Sequence, residues 1–165
     1  MTVRSFLGGL ALLLTATAGQ ASGQRPAGAL ARSPATVEAR GDLLAARSTT
    51  FQAGVAALWP VSPFLSVGGV VGVGVTRHPA DAVNDAASGR AEFVARFTPD
   101  PATAAGWRLY GQATAGVLAV RGSTGRALVS VSMGIERTSV GPVRPAIELG
   151  LGGGLRVAVA LRHAR

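Results

Sequence analysis

From position 37 to 163, apolar side chains recur at every second residue, in runs broken by turn-forming residues. Alternation of this kind puts one set of side chains on each face of an extended chain, whereas a helix needs a period near 3.6. The clearest run is 126–137. There Ala127, Val129, Val131, Met133 and Ile135 share one face, and Arg126, Ser130, Ser132, Gly134 and Glu136 the other, with Leu128 out of pattern. The run 90–97 sets Ala91, Phe93, Ala95 and Phe97 against Arg90, Glu92 and Arg96. The run 107–119 sets Trp107, Leu109, Ala113, Ala115 and Val117 against Arg108, Tyr110, Gln112 and Thr114. In 146–151, Ile147, Leu149 and Leu151 oppose Glu148. In 155–162, Leu155, Val157, Val159 and Leu161 oppose Arg156 and Arg162.

Earlier runs are less regular. In 51–59, Phe51, Ala53, Val55, Ala57 and Trp59 lie opposite Gln52 and Gly54. In 64–76, Leu65, Val67, Val71, Val73 and Val75 lie opposite Ser66, Gly68, Gly72 and Thr76. The run 37–46 places Glu38, Arg40 and Asp42 on one face. It reads either as a strand of its own or as the start of one long strand with 50–59. The breaks at 60–63, 78–89, 98–106, 122–125, 138–145 and 152–154 are rich in Gly, Pro, Asn, Asp and Ser, the residues that turns require. No helical period and no solenoid repeat is present. Strands joined by short links pair antiparallel with their neighbours. Closing such a meander removes its exposed edges. The pattern therefore predicts an all-β chain folded as an antiparallel up-and-down barrel of about eight strands.

Residues 1–23 break the pattern. Arg4 is followed by an apolar run from 6 to 14 and by small-residue sites at 16–18 and 21–23. The run falls short of the ~20 residues a membrane-spanning helix needs, and the three parts together make an export signal. Residues 19–35 are rich in Gly, Ser, Pro, Gln and Ala and show no apolar period, so 24–36 reads as a flexible leader and 37–165 as the barrel.

Composition changes the picture in two ways. Charged residues make up 15% of the chain, against about 25% in an average soluble domain, so a water-facing surface is poorly supplied. All basic residues are Arg, and the net charge is +8, or one less once Arg4 leaves with the signal. Such a charge raises nucleic acid and anionic lipid as partners. The arginines are spread singly, without a basic run, which argues against nucleic acid. With no Cys, disulfides, thiolate metal sites and Cys nucleophiles are excluded.

A barrel can be apolar inside and soluble, or apolar outside and embedded in lipid. The polar face here is mostly Gly, Ser, Thr and Gln, which suits a narrow, filled interior. Its Arg and Glu residues occur together, and confined charges must pair. Phe51 and Trp59 bracket one strand on the apolar face. Their separation, roughly 20 Å for a strand tilted by about 40°, is near the height of an apolar band flanked by aromatic girdles. The expected interior charge network is Glu38, Arg40, Asp42, Arg90, Glu92, Arg96, Arg108, Arg126, Glu136, Glu148 and Arg156, with a structural role in filling and stiffening the barrel.

Other motifs reduce to the strand pattern. The glycines of 150–154 resemble a phosphate loop, but a strand rather than a helix follows, so a hairpin is expected. Arg40-Gly41-Asp42 spells an adhesion tripeptide, yet alternation puts Arg40 and Asp42 on one barrel face. His78 and His163 have no neighbouring ligand or nucleophile pattern. No catalytic residue, metal or cofactor is expected.

The signal segment, the alternating strands and a last strand near the C-terminus resemble the small eight-stranded outer-membrane barrels of Gram-negative-type bacteria. The stretches GRAEFVARFTPDP and RPAIELGLGGGLRVAVALR are similar to uncharacterised barrel proteins from GC-rich bacteria. The resemblance implies insertion into outer-membrane lipid by the barrel assembly machinery. Those proteins usually end on an aromatic residue that the machinery reads. Here His163 holds that register, in Leu161-Arg162-His163-Ala164-Arg165. The expected role is structural, or interaction through loops, with 78–89 and its Asp81, Asn84 and Asp85 as the candidate. The alternatives are a soluble periplasmic lipocalin-like barrel holding an apolar ligand against its Val/Leu/Phe face, a lipid-modifying enzyme, and a narrow pore.

Overall fold

The computed structural model describes residues 35–77, 85–101, 106–138 and 141–163. The signal segment 1–23, nearly all of the leader, and Asp81 and Asn84 of the candidate loop lie outside them. The described chain is all strand and turn, in the order β1 (Thr36–Ala45), β2 (Thr49–Pro60), β3 (Leu65–Arg77), β4 (Ala86–Phe97), β5 (Gly106–Val120), β6 (Arg126–Thr138), β7 (Val143–Leu151) and β8 (Leu155–His163). Each strand pairs antiparallel with the next, and β8 pairs with β1, closing an eight-stranded up-and-down barrel. The segment 37–46 is thus a separate strand, joined to β2 by a tight turn at 46–48.

Two elements run longer than their sequence pattern. β4 begins at Ala86, so the connection from β3 is 78–85 and not 78–89. Ala86, Ala87, Ser88 and Gly89 pair with β3, although their small side chains give little polar–apolar contrast. β7 begins at Val143 and includes Pro145. Pro145 pairs with Leu161 of β8 but lies beyond the β6–β7 ladder, which ends at Ala146. Proline is tolerated in a strand where one side has no partner to bond.

The strands alternate cleanly between an inner and an outer face. Along β8, Arg156, Ala158, Ala160 and Arg162 are buried, while Leu155, Val157, Val159 and Leu161 are exposed. β1 buries Glu38, Arg40, Asp42 and Leu44 and turns Val37 and Leu43 outward. Glycines let strands approach where a side chain would not fit. A Cβ on Gly68 or Gly74 would collide with the carbonyl of Ala57 or Phe51 on β2. The 152–154 hairpin uses Gly153 at φ 68° and Gly154 at φ 151°, conformations that only glycine adopts without strain.

The barrel has two rims. The terminal rim carries the start of β1 and the end of β8, and the distal rim carries the turns β1–β2, β3–β4, β5–β6 and β7–β8. Buried apolar groups form small patches inside. Leu44, Leu118 and Leu128, with Val120 against them, close the distal end. Ala56, Leu58, Val70 and Val94 pack together on the β2–β4 side. Leu128, out of pattern in the sequence, belongs to the first of these patches.

Candidate functional site

Between the apolar patches, the interior is occupied by charged side chains in two linked clusters. Nearer the terminal rim, Glu148 of β7 is the hub. It accepts hydrogen bonds from Arg40 Nη2 at 2.7 Å, Tyr110 Oη at 3.0 Å and Arg162 Nη2 at 3.1 Å. Arg162 also pairs with Glu38 at 2.9 Å and with Glu136. Glu38 pairs with Arg96, and Glu136 with Arg108. Arg96 donates to Gln112 Oε1 at 2.7 Å. Two guanidinium groups lie over the Tyr110 ring, Arg162 at 4.2 Å and Arg96 at 5.0 Å from its centroid, a geometry favourable to cation–π attraction.

Nearer the distal rim, Asp42 of β1 is the hub. Arg40 binds it through Nε and Nη2 at 3.0 and 3.1 Å, Arg156 approaches at 2.9 Å, and Arg90 completes the set. Arg156 continues to Glu92 at 3.3 Å and to Ser130 Oγ at 2.9 Å. Arg40, bound to both Asp42 and Glu148, joins the two clusters. A small space beside Asp42, Gln52, Arg90 and Arg156 is about 10 Å³, roughly enough for one water molecule. Among the described residues, then, the interior is filled and charged.

Glu38, Arg40, Asp42, Arg90, Glu92, Arg96, Glu136, Glu148 and Arg156 are buried and in mutual contact, and Arg108 is half-buried against Glu136. Arg126 is exposed at the first position of β6 and joins none of these pairs. Its register partner on β5 is Leu118, at the distal end of the barrel, and there its side chain is exposed. Sequence reasoning left out Arg162, among the largest fully buried side chains, and Tyr110. Both had a usable signal, because Arg162 shares the parity of Arg156, and Tyr110 that of Arg108. His163 is exposed on the outer face of β8, and His78 lies outside the described residues.

Ion pairing explains why this interior is tolerated. An isolated buried charge costs several kcal/mol, and pairing offsets this to the extent that the donors and acceptors are used; Glu38 Oε2, Arg40 Nη1 and Arg90 Nε are buried without a hydrogen bond. Here each carboxylate faces two or more arginines from different strands, so the network ties β1 to its neighbour β8 and, through the lumen, to β7 and β4. Outside it, Asp85 accepts hydrogen bonds from Arg77 at 2.9 and 3.0 Å, which hold the exposed carboxyl below its ordinary range.

Tyr110 is held in place by a glycine opposite. It is the register partner of Gly134 on β6, and a Cβ on Gly134 would run into its ring. Gly134→Ala is therefore expected to push the ring off Arg162 and loosen its bond to Glu148. Overpacking of this kind costs about 1–3 kcal/mol. The loss should appear as a lower urea midpoint, and an unchanged midpoint would show that the ring has room to move.

The outer face is the chemical inverse of the interior. Phe51, Trp59, Phe93, Phe97 and Trp107 are all more than half exposed, as are Val73, Val129, Val131, Met133, Leu149 and Leu151. Isolated surface hydrophobics are ordinary, but a contiguous apolar surface marks an interaction with something other than water. Three of the aromatics stand near the terminal rim, Trp59 one residue before the end of β2, Phe97 at the end of β4 and Trp107 at the second residue of β5, while Phe51 stands near the distal rim. No protein-family model matches the chain, and no curated protein is significantly similar to it.

Proposed function

We propose that the chain is an exported outer-membrane β-barrel whose role is structural or loop-mediated, without enzymatic activity. The observation that carries this reading is the inverted burial. The charged side chains pair inside the barrel, and most of the large apolar side chains point outward, apart from the small interior patches of Leu44, Leu118 and Leu128 and of Leu58, Val70 and Val94. A closed barrel satisfies its backbone hydrogen bonds internally, and this, with an apolar exterior, is what lipid requires. The export signal at 1–23 supports the route, and outer-membrane lipid and the barrel assembly machinery are the proposed partners. A lipocalin-like reading calls for the Val/Leu/Phe face to line a cavity, and here that face looks outward.

The test is fractionation with gel migration. The mature protein should sediment with the outer membrane, resist salt extraction and run at a different position on a detergent gel when left unheated. Release by osmotic shock alone would overturn the reading.

The packed interior gives a second expected result. In planar bilayers the reconstituted barrel should conduct no steady current, because side chains nearly fill the lumen of an eight-stranded barrel. Regular single-channel steps would instead mean that the charge network opens.

A further inference from the structure

The apolar wall ends differently at its two rims. At the distal rim, Arg47 lies two residues beyond Ala45, and Arg121 two residues beyond Ala119, the last outward positions of β1 and β5. Arg126 opens β6 in the same hairpin as Arg121. All three are exposed. Arg121 is pinned beside β4, because its backbone N–H donates to Ala87 O at 2.8 Å. Among the described residues the acid at this rim is Asp85, and it is engaged by Arg77. The interior carboxylates are engaged by interior arginines. No described carboxylate therefore pairs with Arg47, Arg121 or Arg126.

We propose that the distal rim docks anionic, phosphate-bearing lipid headgroups, with Arg47, Arg121 and Arg126 as the recognising side chains. The proposal rests on the membrane reading above and adds a headgroup preference to it. Two residues of extended chain reach at most about 7 Å, so Arg47 and Arg121 stand just beyond the last outward wall positions, near the height of headgroups whose acyl chains cover that wall. Arg126, level with Leu118 on the inner parity, is exposed at the mouth of the same rim. Guanidinium binds phosphate oxygens through paired, charge-assisted hydrogen bonds. Three exposed arginines without a described carboxylate partner at the distal rim, against Arg137 at the terminal rim, suit an anionic ligand on the distal side. Near an anionic surface, each such arginine is worth about fivefold in lipid affinity.

Native mass spectrometry of the folded, detergent-solubilised full chain tests this, with phosphatidylglycerol and phosphatidylcholine titrated separately. Phosphatidylglycerol should bind at least about tenfold more tightly, and millimolar inorganic phosphate should not displace it. The R47Q/R121Q/R126Q variant should lose the preference, whereas R137Q, at the terminal rim, should keep it. If the triple variant fails to fold, the single variants decide the question, each expected to lose about fivefold. Equal binding of both lipids, retention of the preference in the triple variant, an equal loss in R137Q, or displacement by free phosphate would each overturn the proposal. A barrel that enters phosphatidylcholine vesicles yet shows no headgroup preference keeps the membrane reading and loses this one. A chain that enters no vesicle of any composition loses both.

Discussion

Arg162→Met should destabilise the barrel by about 3–5 kcal/mol, the usual consequence of removing one partner from a buried ion-pair cluster. Arg162 is 2% exposed and contacts Glu38, Glu136 and Glu148 as well as the Tyr110 ring. Methionine fills much of the volume but leaves those carboxylates short of a shared cation. Urea-titrated unfolding followed by gel shift measures the loss. Adding Glu136→Gln to the variant should recover part of it, since one stranded charge is then removed. Arg126→Met is the matched control. It removes the same charge from an exposed rim position and should fall within about 0.5 kcal/mol of the parent. Equal effects at the two positions would mean that the interior network adds nothing to stability.

Ile147→Arg is the second large effect. Ile147 is 52% exposed on the outer face of β7, and its register partners Ile135 and Val159 are also outward. On a surface facing water the change should be nearly neutral. On a wall facing lipid it should cost about 2–4 kcal/mol near mid-bilayer. The same substitution at Leu155, beside the distal turn at 152–154, should cost about 0–1 kcal/mol, because the penalty fades toward the interface. Folding yield and urea midpoint in vesicles measure both. A folded, fully stable Ile147→Arg barrel would sink the lipid-facing assignment of this wall.

Most of the architecture is legible in the chain because a strand's period of two fixes each side chain to one face. Arg90, Glu92 and Arg96 had to share a side, and Phe93 and Phe97 the other, whatever the tertiary structure. The pattern fails where the side chains carry no contrast, as at Ala86 to Gly89, or where a proline speaks for a turn, as at Pro145. Leu128 breaks alternation in character only, since it points inward like its neighbours by parity but into an apolar patch. The pairings inside were not legible. Arg40 and Glu148 lie 108 residues apart and meet inside the lumen past the intervening β8, so their contact depends on barrel closure, which pairs β8 with β1. Arg126 shows the converse limit. Parity places it with the interior set, but its height on the strand puts it at the rim.

The proposed lipid contact of the outer face is most directly tested with the protein's own fluorescence. Trp59 and Trp107 are the chain's two tryptophans, and they stand on the outer face at 54% and 60% exposure. In vesicles of lipids brominated along their acyl chains, the folded barrel should lose most of its tryptophan emission, while aqueous acrylamide should quench it weakly. Full emission in brominated vesicles, with free quenching by acrylamide, would place both rings in water and contradict the membrane assignment.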